Sequence, residues 1–473
     1  MSKQKLWIVF PLLFAMVLAA CGGGAAQETP MVEPTTDTAA QPTEEMAEPT
    51  ATTEEMAEPT ATTEGGEGGD LAGGTVSVLA VWGGDEQDSF EAMIAPFEEE
   101  TGIDVQYEGT RDLNAVLTSR VEGGNPPDLA GLPGPGQLQE YARNGSLVNL
   151  SEVLDMDALG SEYDQGFLDL ASADGNLYGI FIKAAVKSLI WYSPPAFEAA
   201  GYTVPTTWEE LQALEQQIIA DGGVPWCIGL ESGAASGWPG TDWIEDIMLR
   251  TAGPDLYDQW WQHEIPWTDE SVRTAWETFG SVINDPAKVY GGAQGVLSTN
   301  FGQSPFPMFE EQPGCYLHRQ ASFITSFITE QYPDLVAGED YDFFPFPPIG
   351  DSEAPLLVAG DLFGMFNDTP EARALMEYLV TAEAQSIWAE RGGFLSANRT
   401  VDPATYPDQL TQQIGQMLVD APAVRFDASD LMPEAVNNAF WTGILDFVSA
   451  PDNLDSILEN IESVATDAYQ TSE

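Results

Sequence analysis

Residues 75–107 read TVSVLAVWGGDEQDSFEAMIAPFEEETGIDVQY, and three patterns follow one another within them. The run 75–82 is β-branched and mostly apolar, as expected of a strand buried on both faces. Gly83-Gly84-Asp85 breaks it. Residues 89–101 then carry helical spacing, with Phe90, Met93, Ile94 and Phe97 on one face. Gly102 sits where a left-handed cap ends a helix, and 103–107 starts a second strand. Further along, 112–122 is again helical, and 127–130 reads as a short third strand after a Gly-Asn-Pro turn. Strand, helix, strand, helix, strand predicts an α/β fold with a largely parallel sheet.

The chain has 473 residues, more than one compact domain usually holds, so two lobes are expected. Its 15 Lys plus Arg stand against 76 Asp plus Glu, which excludes neutralising a phosphate backbone and so a nucleic-acid partner. The acids are spread along the chain and read as an extracellular surface that stays soluble, the other reading being a bed for cations. His263 and His318 are the only histidines and share no helical turn, which excludes a multi-histidine metal site. We expect neither metal nor cofactor.

Before the folded part, Lys3 and Lys5 precede an apolar run over 6–20, the pattern of an export signal and too short to span a bilayer comfortably. The run ends in Leu18-Ala19-Ala20-Cys21-Gly22, which resembles the lipobox of bacterial lipoproteins. That resemblance implies a signal peptide over 1–20, a lipidated Cys21 and anchoring to the outer face of the cell membrane, in a periplasm if an outer membrane is present. Residues 21–74 carry twelve acids and no Lys or Arg, and TEEMAEPTAT at 43–52 recurs at 53–62. The segment reads as a disordered acidic tether. With Cys21 consumed, Cys227 and Cys315 remain as one pair, a disulfide expected in an oxidising compartment, the alternative being two separate buried thiols.

The opening strand with its Gly-Gly loop, Phe97–Val105 and the Gly124-Asn125-Pro126-Pro127-Asp128 turn resemble the sugar-binding extracellular solute-binding proteins of ABC importers, the maltose-binding-like family. So do Leu177-Tyr178-Gly179-Ile180, Ser188–Tyr192 and Pro205–Leu211, in matching order across nearly all of 75–473. The stretches 237–243 and 313–320 resemble the subgroup associated with α-glucosides. One departure is local: after Trp191-Tyr192 the family usually has Asn and a basic residue, whereas Ser193-Pro194-Pro195 stands here and reads as a helix start. The resemblance implies a periplasmic-binding-protein-like fold, two discontinuous α/β lobes over 75–184 plus 358–400 and 185–357 plus 401–473. Hinge strands would cross near 183–189, 356–361 and 397–401. It further implies a monomeric receptor, not an enzyme, that closes on a sugar and hands it to a membrane permease.

Ligands of open α/β sheets bind at the carboxyl ends of strands. Candidates there are Trp82, Gly84 and Asp85, then Arg111, Pro133 and Gly134, and Gly360 and Asp361 after the apolar run 356–359. Across the cleft we single out Trp238, Asp242, Arg319 and Trp441, because a sugar offers an apolar face for flat aromatics and a rim of hydroxyls for bidentate groups. Simpler roles compete: a helix cap for Asp85, a surface ion pair for Arg111, a turn cap for Asp361, a core position for Trp441. Trp260, Trp261, Trp276 and Trp388 are assigned to cores or lobe surfaces. Two rival functions are a cationic ligand such as a polyamine in the same fold, and a secreted glycoside hydrolase. The latter needs two flanking acids, but no hydrolase motif is present.

Overall fold

The computed structural model describes residues 73–351 and 355–471. The leader over 1–20, Cys21 and the tether up to residue 72 lie outside the described residues. None of the described helices is long and apolar enough to cross a membrane.

β1 (Thr75–Ala80) pairs in parallel with β2 (Asp104–Gly109) and with β3 (Leu129–Leu132). The helix between β1 and β2 spans Asp85–Thr101 and ends at Gly102, whose φ of 70° is left-handed and whose N–H donates to the Glu98 carbonyl. Its buried stripe is Glu86, Ser89, Phe90, Met93, Ile94 and Phe97. The helix therefore starts four residues before its apolar spacing does, because Glu86 and Ser89 continue the inward face with polar groups. Its N-cap is Gly84, at φ 59°, and Asp85 is the first helical residue rather than the cap.

A small hairpin of β4 (Ser172–Ala173) and β5 (Asn176–Leu177) precedes β6 (Gly179–Val186), which is buried throughout. β7 (Leu189–Tyr192) is the middle strand of a second, antiparallel sheet with β8 (Leu317–Arg319) and β9 (Asp342–Pro345). The Pro-Pro departure after β7 opens the helix Pro194–Ala200, with proline in its first turn. β10 (Leu356–Met365) then returns to the first sheet, antiparallel to β6 and β3, and pairs in parallel with β11 (Val424–Phe426). The order is β11-β10-β3-β1-β2, with β6 also against β10. The class is α/β as expected, but the sheet is mixed rather than largely parallel, because β10 enters it against the direction of β3 and β6.

Two hydrophobic cores form the interior, and the second sheet contributes side chains to both. The first gathers Leu79, Phe90, Leu132, Phe181, Phe363 and Trp388; the second is rich in aromatics, with Trp226, Trp243, Trp260, Trp267, Trp276 and Phe440. Of the tryptophans among the described residues only Trp238 and Trp261 are not buried. The chain passes between the cores at two strands whose residues alternate, β7 with Leu189 and Trp191 on the first core and Ile190 on the second, and β10 with Leu356 and Val358 on the first and Leu357 on the second. Near 397–401 it stays with the first: Leu410 and Ile414 of the helix Gln409–Asp420, and Phe426 of β11, all pack there. Ala428 and Met432 belong to the second core, so the third passage runs through Asp427. The amphipathic 409–420 helix and the pairing of β11 with β10 delay it.

The expected disulfide is present: Cys227 and Cys315 are bonded, with both residues buried.

Candidate functional site

A cavity of about 350 Å³ opens where the two sheets meet. Val81, Arg111, Pro133, Gly360 and Asp361 line it from the first sheet, and Trp238, Asp242, Phe301, Asn438 and Trp441 from the other side. Ala185, Lys187, Asp427 and Ser429, on two of the passages between the cores, form its floor. The rim is bridged: Asp112 Oδ1 accepts the Ala234 N–H at 3.0 Å, and the Arg111 guanidinium lies 5.0 Å above the Phe301 ring.

Trp238 opens the helix Trp238–Thr251, after Gly237 at φ 111°. A Cβ on Gly237 would meet the Trp441 carbonyl oxygen at 2.4 Å, so glycine is what lets this helix start press against the helix Glu434–Ser449 and bring both tryptophans to one cavity. The Trp238 ring is steadied by Phe301 and Phe323, at 5.1 and 6.0 Å. The Trp441 Nε1 is buried without a partner, a donor left over beside the cavity.

The polar lining is built around two lysines of one strand face. In β6 alternate residues face one way, and Lys183, Ala185 and Lys187 follow that period. Lys183 is 1% exposed; its Nζ bonds Asp361 at 2.8 Å and Glu86 at 3.4 Å, and sits within 4.6 Å of the ring centres of Trp82, Trp388 and Phe394. These rings stand in for lost hydration of the ammonium. Glu86 is also bound by Arg111 at 2.8 Å, and Asp361 accepts Trp82 Nε1–H at 2.7 Å. A register shift in β10 between Asp361 and Leu362 breaks the ladder at that carboxylate. Lys187 bonds Asp242 Oδ1 at 2.8 Å and Asp427 Oδ2. Asp242 in turn meets Arg319 at 3.0 Å, and Arg319 reaches Asp246 at 2.7 Å.

Burial works against the Lys187 charge, but Asp242 and Asp427 outweigh it and hold the ammonium well above the usual lysine range. Burial likewise opposes ionisation of Asp427, yet Lys187 and the Ser429 hydroxyl bring its carboxyl below the ordinary value. Burial pushes Asp242 up to about 6 against the pull of Lys187 and Arg319, and burial with nearby Asp427 pushes Glu245 and Asp430 well above theirs. Buried His318 is pushed down to about 4 and stays neutral. Asp242, Glu245 and Asp427 bring carboxylate oxygens within 4.8 Å of one another, a spacing suited to a cation, and the Lys187 ammonium already bonds two of the three.

Arg111, Pro133, Trp238, Asp242, Gly360, Asp361 and Trp441 thus share one cavity. Trp82 lies behind it, with its ring against Lys183 and its N–H on Asp361. Gly84 and Asp85 are outside the lining, where Asp85 pairs with Arg391 at 3.4 Å. Gly134 serves a close approach of backbone, since a Cβ there would meet the Asp430 carbonyl at 2.5 Å. Arg319 is buried behind Asp242 and does not face the cavity. Sequence reasoning passed over Lys187, Asp427 and Glu86. A signal existed for the lysine: charges four apart within the otherwise apolar run GIFIKAAVK.

The family of bacterial extracellular solute-binding proteins matches residues 83–386. The chain is 46% identical over 399 residues to the osmoprotective compounds-binding protein GgtB of Synechocystis sp., covering 84% of this chain and 94% of the relative. It is 42% identical over 403 residues to the alpha-glucosides-binding periplasmic protein AglE of Rhizobium meliloti, covering 82% and 86%. Among solved structures, a chitin oligosaccharide binding protein superposes with a TM-score of 0.74 at 19% identity, over 85% of this chain and all of that one, a likeness of fold.

Proposed function

Because the chain belongs to the family of bacterial extracellular solute-binding proteins, we propose that it is the carbohydrate receptor of an ABC importer, taking an α-glucoside or similar small saccharide. The observation that carries this reading is the pairing, in one cavity, of Trp238 and Trp441 with carboxylates already fixed by cations. A sugar stacks its C–H face on an indole and donates hydroxyl hydrogens to such acceptors. The name of the alpha-glucosides-binding relative supports the same ligand class.

The receptor works by closure. Sugar bridging both sides of the cleft shifts the population to the closed form, which the permease recognises. Lobe 1 takes 75–184 with 358–400, and the packing of Leu410, Ile414 and Phe426 supports adding the segment up to β11; lobe 2 takes 185–357 and the chain after Asp427. The protein acts as a monomer, held at the outer face of the cell membrane through lipidated Cys21 and the acidic tether, and performs no chemistry on its ligand.

The test is thermal shift of the full chain with maltose, trehalose, sucrose, longer oligosaccharides and spermidine. A specific ligand at a hundredfold excess over its dissociation constant stabilises by about 2.7 kcal/mol. A rise with one of the sugars is expected; no response to any saccharide, or a response to spermidine alone, refutes the reading.

A further inference from the structure

The cavity lining carries seven carboxylates against two cations, Arg111 and Lys187. Taken by composition, that wall would attract an amine. Yet at its floor the place for one is filled. The Lys187 ammonium lies between Asp242 Oδ1 and Asp427 Oδ2 and 5.3 Å from the centre of the Trp238 ring. Two carboxylates and an aromatic face are the surroundings that recognise a primary ammonium. The side chain reaches this place from the end of β6, where the Lys187 N–H is pinned to the Leu357 carbonyl at 2.8 Å. Its partners are fixed from behind. Asp242 is held by Arg319, and Asp427 accepts the Ser429 hydroxyl at 2.7 Å and the Asp430 N–H at 3.1 Å.

We propose that Lys187 sets the charge selectivity of the cavity: its ammonium is a built-in occupant of an amine site, which leaves the site to neutral polyols. Lys183 does the same one step behind the wall for Glu86 and Asp361. With both pairs neutralised, the cavity carboxylates act as oriented acceptors for hydroxyl groups, and a ligand amine finds its counter-ions taken. The inference rests on the receptor reading for its neutral ligand, but its amine arm is read independently.

The experiment compares the full chain with its Lys187→Ala variant, titrated with the sugar panel and with ethylammonium chloride against sodium chloride of equal ionic strength. The wild type is expected to ignore ethylammonium. The variant is expected to lose sugar affinity by about tenfold or more. It should be stabilised by millimolar ethylammonium, which fills the vacated place, and regain sugar affinity in its presence. A lysine with a packing role alone would lower the melting temperature without creating an amine response. If the variant folds under no condition, Lys187→Ala/Asp427→Asn removes one charge of each sign and leaves Asp242 and the Trp238 face to take the amine. A wild type already stabilised by ethylammonium, or variants indifferent to it, overturns the proposal. A wild type that answers to no sugar, with an amine-responsive variant, sinks the carbohydrate reading and leaves the amine site standing.

Discussion

Opening the Cys227–Cys315 bond tests how much the fold leans on a covalent clamp whose two residues pack with the first core. The bridge closes a loop with a sequence separation of 88 residues. In the chain-entropy account, cross-linking a loop of that size removes about 15 cal/mol/K from the unfolded ensemble, or ~4–5 kcal/mol at 25 °C. Unfolding roughly 400 residues carries ~0.8 kcal/mol/K, so the melting temperature should drop by about 5 °C. Two comparisons separate the contributions. Reduction and alkylation of the unfolded chain, followed by refolding, reports the cross-link together with the alkyl groups; Cys227→Ala/Cys315→Ala replaces both sulfurs with space at sites that are 1% and 0% exposed and should lie about 1–2 kcal/mol lower than the cross-link term alone. Scanning calorimetry at matched rates reads both. The effect has a local side as well: His318 Nδ1 donates to the Cys227 carbonyl at 2.8 Å, and Cys315 stands just before Tyr316 and β8, which delivers Arg319 to Asp242 and Asp246. A double variant that melts within 1 °C of the oxidised protein would refute the reasoning, as would free-thiol labelling of both cysteines in protein never exposed to reductant.

Trp238→Ala should weaken sugar binding about tenfold, the equivalent of ~60 Å² of ring face at ~25 cal/mol per Å². Isothermal titration reads it, and because Trp238 is only half-buried the melting temperature should move little. His318 gives a pH signature. Its folded value is lowered to about 4 from 6.5, so on acidification the unfolded chain takes up the proton first; stability is lost as pH falls from 6.5 toward 4 and the loss levels off below that. The full span is about 3 kcal/mol. Asp242 works in the opposite sense, its raised value of about 6 making the fold lose stability as pH rises from about 4 through 6. The measurement is therefore the difference between wild type and His318→Asn in denaturant titrations at pH 4.5 and 7, and an unchanged difference removes the claim.

The sequence made the α/β order visible because β1, its glycine loop and the following helix each carry a local signal. Where the reading went astray, polar groups had taken over positions that pattern reasoning reserves for apolar ones. Apolar spacing starts the Asp85–Thr101 helix only at residue 89, because Glu86 and Ser89 occupy its buried face, and they do so because Lys183, Arg111 and Arg391 bind them. Asp427 has no local signature at all: it faces Lys187 across 240 residues of chain. Residue type alone points Arg319 to the cleft, but its place in β8, paired with Ile190 of β7, carries it behind Asp242. Trp238 stands out for a physical reason: it opens its helix directly after the Gly237 turn, so no preceding apolar period marks it for the core.

Where the few positive charges sit is the strongest argument that these pairs serve geometry. Among the described residues the lysines are Lys183, Lys187 and Lys288, and all three are buried. Each meets carboxylates that are themselves largely enclosed, Lys288 reaching Glu215 at 2.7 Å. A chain with 76 acids would relieve its self-repulsion best by spreading lysines over its surface. It holds them inside instead, although a buried ion pair recovers little more than its desolvation cost. Two of the three stand on β6 and its exit, where the chain passes from one core to the other, and each immobilises a carboxylate pair at or beside the cavity. Stability does not require that placement. A site that must present fixed acceptors to hydroxyl groups, from a strand shared by both sides of a closing cleft, does.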